Sequence, residues 1–451
     1  MPLILPVVRP QMICPPAIVR MYSSSSTVVW MDSATTVPTV QAPDTPSASG
    51  EAPLVAIRPH HPATTAPAAQ ESPPGSAAYA NTFTGDWFGL RTGLANQGVS
   101  FNGCGVNDNS WNLMGGKSTH DFVSRARLTL GMNLDTDKLF GWPGGTLVSS
   151  IRFHFGPNGN NIQAGSIQGF SFVDDAPPST QLYELYYQQK LLEDKLIIQA
   201  GRMDANNIFD IPVDATDFIN PSATDAPLAF QNAFPIQAPG LVGIIHATPT
   251  TTLLLGAFYN DRFHPTALDA LLNTLAPVNQ PVGTSLNIEV DQNYRFIHTM
   301  PGTIAIGGFW RTGMLPTLDG GVQSGTGGGW VFVDQTLWQT PKASRRVAAW
   351  GNFTGNDPRV SEIDYSLQAG LLGAGIIPGR PDDKIAVGID YAHISSQADT
   401  PKPYEMATEV FYECYLGRGI TVQPDLQYFN KTGGGAHPDA LIALIRITVN
   451  F

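Results

Sequence analysis

The chain has 451 residues, a net charge of −12 and only 14% charged residues, with 45 glycines and 37 prolines. The acidic balance is the opposite of a nucleic-acid binder's, and no run of eighteen apolar residues is present to make a membrane-spanning helix. Two or three soluble domains or one large all-β domain remain, and a transmembrane barrel stays open because it hides its hydrophobicity in alternate residues.

Residues 1–80 read as an atypical targeting segment and extension. From Asp32 to Ala80 the chain is dominated by Pro, Ala, Ser and Thr, which cannot bury enough apolar surface to offset ordering entropy, so the segment is expected to be disordered. A secretory signal needs an uninterrupted apolar core, yet Pro2 and Pro6 bracket Leu3-Ile4-Leu5, and Cys14-Pro15-Pro16 cuts the next apolar run. Cys14, Cys104 and Cys414 are far apart, without a C-x-x-C, and suggest no zinc site.

The second region, 81–451, opens with a short helix at Gly85-Asp86-Trp87-Phe88-Gly89-Leu90-Arg91. Asp86 is the expected N-cap, Trp87, Leu90, Arg91 and Leu94 share a face, and Gly98 ends the element. After Gly98 the apolar period changes from 3.6 to 2. Phe122, Ala126, Leu128, Leu130, Met132 and Leu134 alternate with Arg125, Arg127, Thr129 and Asn133. Leu147, Ile151, Phe153 and Phe155 alternate with Arg152 and His154. Ile385, Val387, Ile389 and Tyr391 alternate with Gly388 and Asp390; Thr408, Val410, Tyr412, Cys414 and Leu416 alternate with Glu409 and Glu413. The last segment places Leu441, Ala443, Ile445, Ile447, Val449 and Phe451 on one face and Arg446, Thr448 and Asn450 on the other, with Ile442 and Leu444 out of pattern.

About sixteen such segments are predicted by this template, beginning near Val99, Thr119, Gly145, Thr180, Lys195, Gly240, Thr251, Thr284, Pro301, Gly328, Arg345, Glu362, Lys384, Glu405, Gly419 and Asp439. Their length suits tilted membrane-crossing strands rather than the shorter strands of soluble sheets. Short connections, such as Leu192-Glu193-Asp194 and Thr248-Pro249-Thr250, alternate with long ones at 203–239, 260–283 and the Gly-rich 313–328. That rhythm is expected of an outer-membrane barrel. The fold class is therefore all-β: a transmembrane antiparallel barrel of about sixteen strands with an aqueous lumen.

Local motifs in this region resemble those of the carbohydrate-selective porin family of Gram-negative outer membranes. They are Gly85 to Arg91, Leu139-Phe140-Gly141-Trp142-Pro143-Gly144-Gly145, Tyr183-Glu184-Leu185-Tyr186-Tyr187-Gln188-Gln189, Ala200-Gly201-Arg202, Val422-Gln423-Pro424-Asp425-Leu426-Gln427-Tyr428, and Asp439 to Phe451. The resemblance covers roughly 85–451, is sparse between about 203 and 340, and does not reach residues 1–80. It implies a sixteen-stranded barrel through which monosaccharides diffuse, with outer-membrane lipid around it. The terminal Phe451 resembles the assembly signal read by the barrel assembly machinery. A monomer and a homotrimer both remain open.

Enzyme motifs fail on inspection. Gly115-Gly116-Lys117-Ser118 has the end of a phosphate-binding loop, but Trp111 stands where its first glycine is required, and G-x-S-x-G, H-E-x-x-H and a dinucleotide fingerprint are missing. A serine and a histidine assembled from different strands, as in a barrel-borne hydrolase, stay open at this level. No cofactor or metal is implied.

What remains is the set of charges on the polar side of the alternation: Arg125, Arg127, Arg152, Glu184, Glu409, Glu413, Asp425 and Arg446. A charge facing lipid at mid-depth costs about 2–4 kcal/mol, so these side chains are expected to line the lumen. There they would form general lining or supply donors and acceptors for sugar hydroxyls. Tyr183, Tyr187, Phe153, Tyr391 and Tyr428 are expected on the lipid face as interfacial girdles. The expected function is facilitated diffusion of a glucose-like monosaccharide, with a weakly selective ion or organic-anion porin as the alternative and a barrel-borne enzyme or surface-binding protein as a third reading.

Overall fold

A computed structural model describes residues 79, 81–174, 178–224, 237–260, 283–296, 300–341 and 345–451. The extension expected over residues 1–80 lies, apart from Tyr79, outside the described residues, as does most of the connection expected over 260–283.

Alternation along the chain becomes sixteen strands. The first eight are β1 (Val99–Met114), β2 (Phe122–Asp135), β3 (Gly145–Phe155), β4 (Ser179–Leu191), β5 (Leu196–Met203), β6 (Ala238–His246), β7 (Thr251–Asn260) and β8 (Gly283–Phe296). The rest are β9 (Met300–Pro316), β10 (Val322–Gln339), β11 (Arg346–Asn356), β12 (Ile363–Ala374), β13 (Lys384–Ile394), β14 (Tyr404–Gly417), β15 (Ile420–Asn430) and β16 (Ala440–Asn450). Each pairs antiparallel with its sequence neighbours, and β16 closes on β1 to complete the barrel. Closure leaves no unpaired strand edge, the condition for sheet in a bilayer. All but one of the expected strand starts lie within three residues of the observed ones.

The exception is β10. The Gly-rich stretch 313–328, expected to be a long loop, is mostly ladder, with only 317–321 between β9 and β10. Glycine there serves a bulge: Gly325 has φ +72 where the β9–β10 register shifts between Ser324 and Thr326. The rhythm of connections is correspondingly looser after β8, since 317–321 on the loop end is shorter than 375–383 on the turn end.

The N-terminal helix also differs from expectation. A 3-10 turn (Trp87–Gly89) precedes helix α1 (Leu90–Asn96), whose N-cap is Gly89 rather than Asp86. Asp86 still serves the helix, because its carboxylate accepts from the Thr92 amide and hydroxyl, both at 2.8 Å. Arg91, buried, turns back across the β1–β16 seam and donates to the carbonyls of Gly85, Phe101 and Phe451. The Phe451 amide donates to Gly103 O at 2.8 Å, and its ring meets Phe83 edge-on at 6.1 Å. Leu139 to Gly145 holds the C-terminus of α2 (Thr136–Phe140), where Gly141 (φ +70) returns its amide to Asp137 O, and then the entry to β3.

One face of each strand meets lipid. Leu130, Leu241, Leu255, Ile288, Ile306, Leu367, Val387, Val410 and Ile445 are exposed in a band around the barrel. Aromatics flank it: Trp111 packs on Phe122 at the loop end, and Tyr391 stacks between Tyr365 and Tyr404. Trp142 and Tyr187 meet at Gln189 Oε1 on the turn end. Tyr187, Phe153, Tyr391 and Tyr428 lie on the outer side as expected, but Tyr183 does not. The β3–β4 register shifts between Ser150 and Ile151, leaving Tyr183 as the extra residue between Glu184 and Leu182. That bulge reverses parity and turns Tyr183 inward, where it is fully buried.

Beyond the bilayer on the loop end, hydrogen bonds from the Arg359 side chain hold the Asp357 carboxyl down to about 2.

Candidate functional site: the loops inside the barrel

Two loop-end connections fold into the lumen. The first, 156–174, carries a single π turn (Asn160–Ala164) and a 3-10 turn (Phe172–Asp174). The second, 204–224, carries two 3-10 turns (Ala205–Asn207, Val213–Ala215) and the short α3 (Pro221–Thr224). Their apolar side chains explain inner-wall residues that break the polar-inside pattern. Phe170 and Ile219 pack on Ala407, Phe429, Ile442 and Leu444, so the two β16 residues that are out of pattern cover loop rather than lipid. Phe209 meets Phe258 and Trp330, and Phe218 meets Trp350 and Phe411. Phe218 needs paired glycines beneath it: a Cβ on Gly388 would come within 2.5 Å of its ring, and one on Gly370 within 3.0 Å.

Wall carboxylates hold the loops by their backbone amides. Glu289 accepts from Asp210 N at 2.8 Å and from Trp330 Nε1 at 2.5 Å. Asp334 accepts from Val213 N and Asp214 N. Glu409 accepts from Ile219 N at 2.7 Å and Asn220 N at 3.0 Å. Glu405 accepts from Ile167 N, Gln168 N and Gly433 N. The reverse polarity is used too. Loop Asp174 meets Arg125 at 2.6 Å, Asp214 meets Arg346, and Asp217 meets Lys384 at 2.5 Å. Each pairing satisfies buried polar groups that would otherwise be costly in the low-dielectric interior. The second loop thereby follows the inner wall from β4 to β15, a belt that narrows the barrel.

All eight charged residues singled out from the alternation face inward, and all eight are buried. Arg125 and Arg127 do not present bare donors to an open bore, because their guanidinium groups lie 4.7 and 4.5 Å from the rings of Phe170 and Phe172. Arg152 donates to Thr129 and lies 3.3 Å from the Tyr183 ring centroid. Glu184 accepts from Asn207 at 2.9 Å. Glu413 is 3.7 Å from Lys384, and Asp425 accepts from Gln427 at 2.9 Å. Arg446 forks onto Asp108 with two bonds of 2.8 Å. Their wall partners Asp108 and Lys384, and the loop-holding carboxylates Glu289 and Glu405, sit on the polar side of strands and were within reach of the same alternation. Loop residues Asp174, Asp214 and Asp217 carry no periodic signal.

An inward-facing pocket lies between this belt and the turn end, against β4 to β8; Glu184, Tyr186, Gln199, His246, Thr252 and Asp291 are among its lining residues. Among the described residues no helix is long and apolar enough to span a membrane, and no cluster of His, Cys, Asp and Glu could hold a metal.

Comparison with known proteins agrees with this architecture. The family model described as "Carbohydrate-selective porin, OprB family" matches residues 119–451. Porin B of Pseudomonas aeruginosa is 24% identical over 81% of this chain and 90% of its own length. The putative porin QuiX of Acinetobacter baylyi is 22% identical over 81% of this chain and 92% of its own length. The solved structure of Pseudomonas putida OprB at high pH superposes with a TM-score of 0.72 at 22% identity, covering 82% of this chain and 99% of the other, a likeness of fold. A closed sixteen-stranded barrel narrowed by infolded loops, matched by that model over most of its length, belongs to the carbohydrate-selective porin family, and it is a channel rather than an enzyme.

Proposed function

We propose that the chain is an outer-membrane channel for passive diffusion of neutral, glucose-like monosaccharides, with Phe451 read during insertion by the barrel assembly machinery. The observation that carries the reading is the belt, 204–224, held on the inner wall by Glu289, Asp334 and Glu409, which takes up part of the sixteen-stranded lumen. A bore of that kind suits a small polyol, for which donors and acceptors are both useful. A conducting site must release its solute, and an affinity of about 1 mM corresponds to only about −4 kcal/mol. In this reading Arg125, Arg127, Arg152, Glu184, Glu409, Glu413, Asp425 and Arg446 act on the pathway chiefly by fixing the loops that set its width.

The test is swelling of liposomes containing the purified full-length protein. Glucose should enter fast, a trisaccharide slowly, and gluconate no faster than glucose. Absence of glucose entry, or rates ordered by charge alone, would replace this reading with the weakly selective ion or organic-anion porin.

A further inference from the structure

We propose a discrete saccharide subsite in the pocket on the turn side of the belt, recognising a neutral polyhydroxyl solute through Glu184 and Tyr186. The inference deepens, and rests on, the sugar-channel reading above. Glu184 and Tyr186 are two apart on β4, both line the pocket, and both are buried at 2% exposure. Glu184 Oε1 is engaged by Asn207 of the belt, and the Asp204 amide approaches the same carboxylate. Glu184 Oε2 and the Tyr186 hydroxyl, by contrast, have no partner in hydrogen-bonding geometry among the described residues.

Their neighbours are already matched. Gln199 Nε2 donates to Gln188 Oε1 at 2.9 Å, and His246 Nδ1 lies 3.1 Å from Thr252 Oγ1. The two open valences are therefore an acceptor and a donor side by side, at a place where burial makes an unmade hydrogen bond costly. A vicinal diol fits both: one hydroxyl donates to the Glu184 carboxylate and the next accepts from the Tyr186 phenol. Ile197, Ile244 and Leu254 complete the lining with apolar surface suited to the C–H face of a pyranose. Glu184 and Asp291 are the acids of the lining, which among the described residues includes no Lys or Arg. A neutral sugar is accordingly favoured, and a sugar acid is opposed by like charge.

The test titrates glucose, and separately gluconate, against the ion current of the full-length protein in planar bilayers, each variant normalised to its own sugar-free current. Tyr186→Phe and Glu184→Gln keep side-chain volume, and heat-modifiable migration checks each barrel, so either variant alone decides the matter. Glucose block should weaken at least threefold in each, and wild-type protein should need at least tenfold more gluconate than glucose for equal block. Superimposable glucose titrations for wild type and variants, or gluconate blocking as well as glucose, would overturn the subsite. If glucose still swells wild-type liposomes in that case, only the subsite falls. If it does not, the sugar-channel reading falls with it.

Discussion

Replacing Arg446 with leucine should unseat the first infolded loop and raise the conductance of the channel. Arg446 and Asp108 face each other across the β1–β16 seam, with side-chain exposures of 2% and 0%. The guanidinium donates to both carboxylate oxygens at 2.8 Å and lies 4.0 Å from the ring of Phe172, while the Ser171 hydroxyl donates to the same carboxylate at 2.5 Å. The pair therefore holds the loop at its 3-10 turn as well as the seam. Removing one partner of a buried pair leaves an uncompensated charge, at a cost of about 3–5 kcal/mol. The β1–β16 ladder is continuous on either side, so the strain falls on the less constrained element, the loop. A shift of about 3 kcal/mol changes the unseated population by roughly a hundredfold. Single-channel records of Arg446→Leu should show a larger, noisier open level, and the heat-modification midpoint should fall. Adding Asp108→Leu should recover most of that midpoint, because two apolar side chains replace a buried pair at little net cost. An unchanged midpoint and conductance in Arg446→Leu would refute the reasoning, as would a double variant as impaired as the sum of the singles.

Gly388→Val should expel Phe218, since the added side chain would overlap a ring already 2.5 Å from the position of a Cβ; proteolysis of 204–224 from the loop side should accelerate, and unchanged resistance would show that the ring is not seated there. Deleting Phe451 should lower the yield of heat-modifiable barrel, because the seam loses the amide bond to Gly103 and the contact with Phe83 together; normal yield in outer-membrane fractions would contradict an assembly role. Arg127→Ala should weaken glucose block by a few-fold and raise conductance, as Phe172 loses one of the two guanidinium groups against its ring, an interaction of about 0.5–2 kcal/mol. A change in ion selectivity with glucose block intact would instead assign Arg127 to charge lining.

Strand number, the order of strands along the chain and the lipid-facing set are written locally. A strand between lipid and lumen must alternate along its own length, so Leu128, Leu130, Val387 and Ile445 announce their side without reference to any neighbour. Inward placement of Arg125, Glu409 and Arg446 follows from the same parity. Three things were decided only in three dimensions. Tyr183 faces inward because a bulge in β4 resets parity, and a single extra residue leaves the composition of the strand unchanged. The Gly-rich 313–328 continues the ladder because neighbouring strands supply hydrogen bonds that its own propensity does not demand. The narrowing of the channel belongs wholly to this class. Glu409 meets Ile219 and Asp108 meets Arg446 across separations of 190 and 338 residues. The amides that Glu409 receives are common to every residue except proline, so nothing in the identity of the loop residues marks them as its partners. Parity assigns a side chain to the inside of a barrel; only the folded loops determine whether that side chain meets solute or backbone.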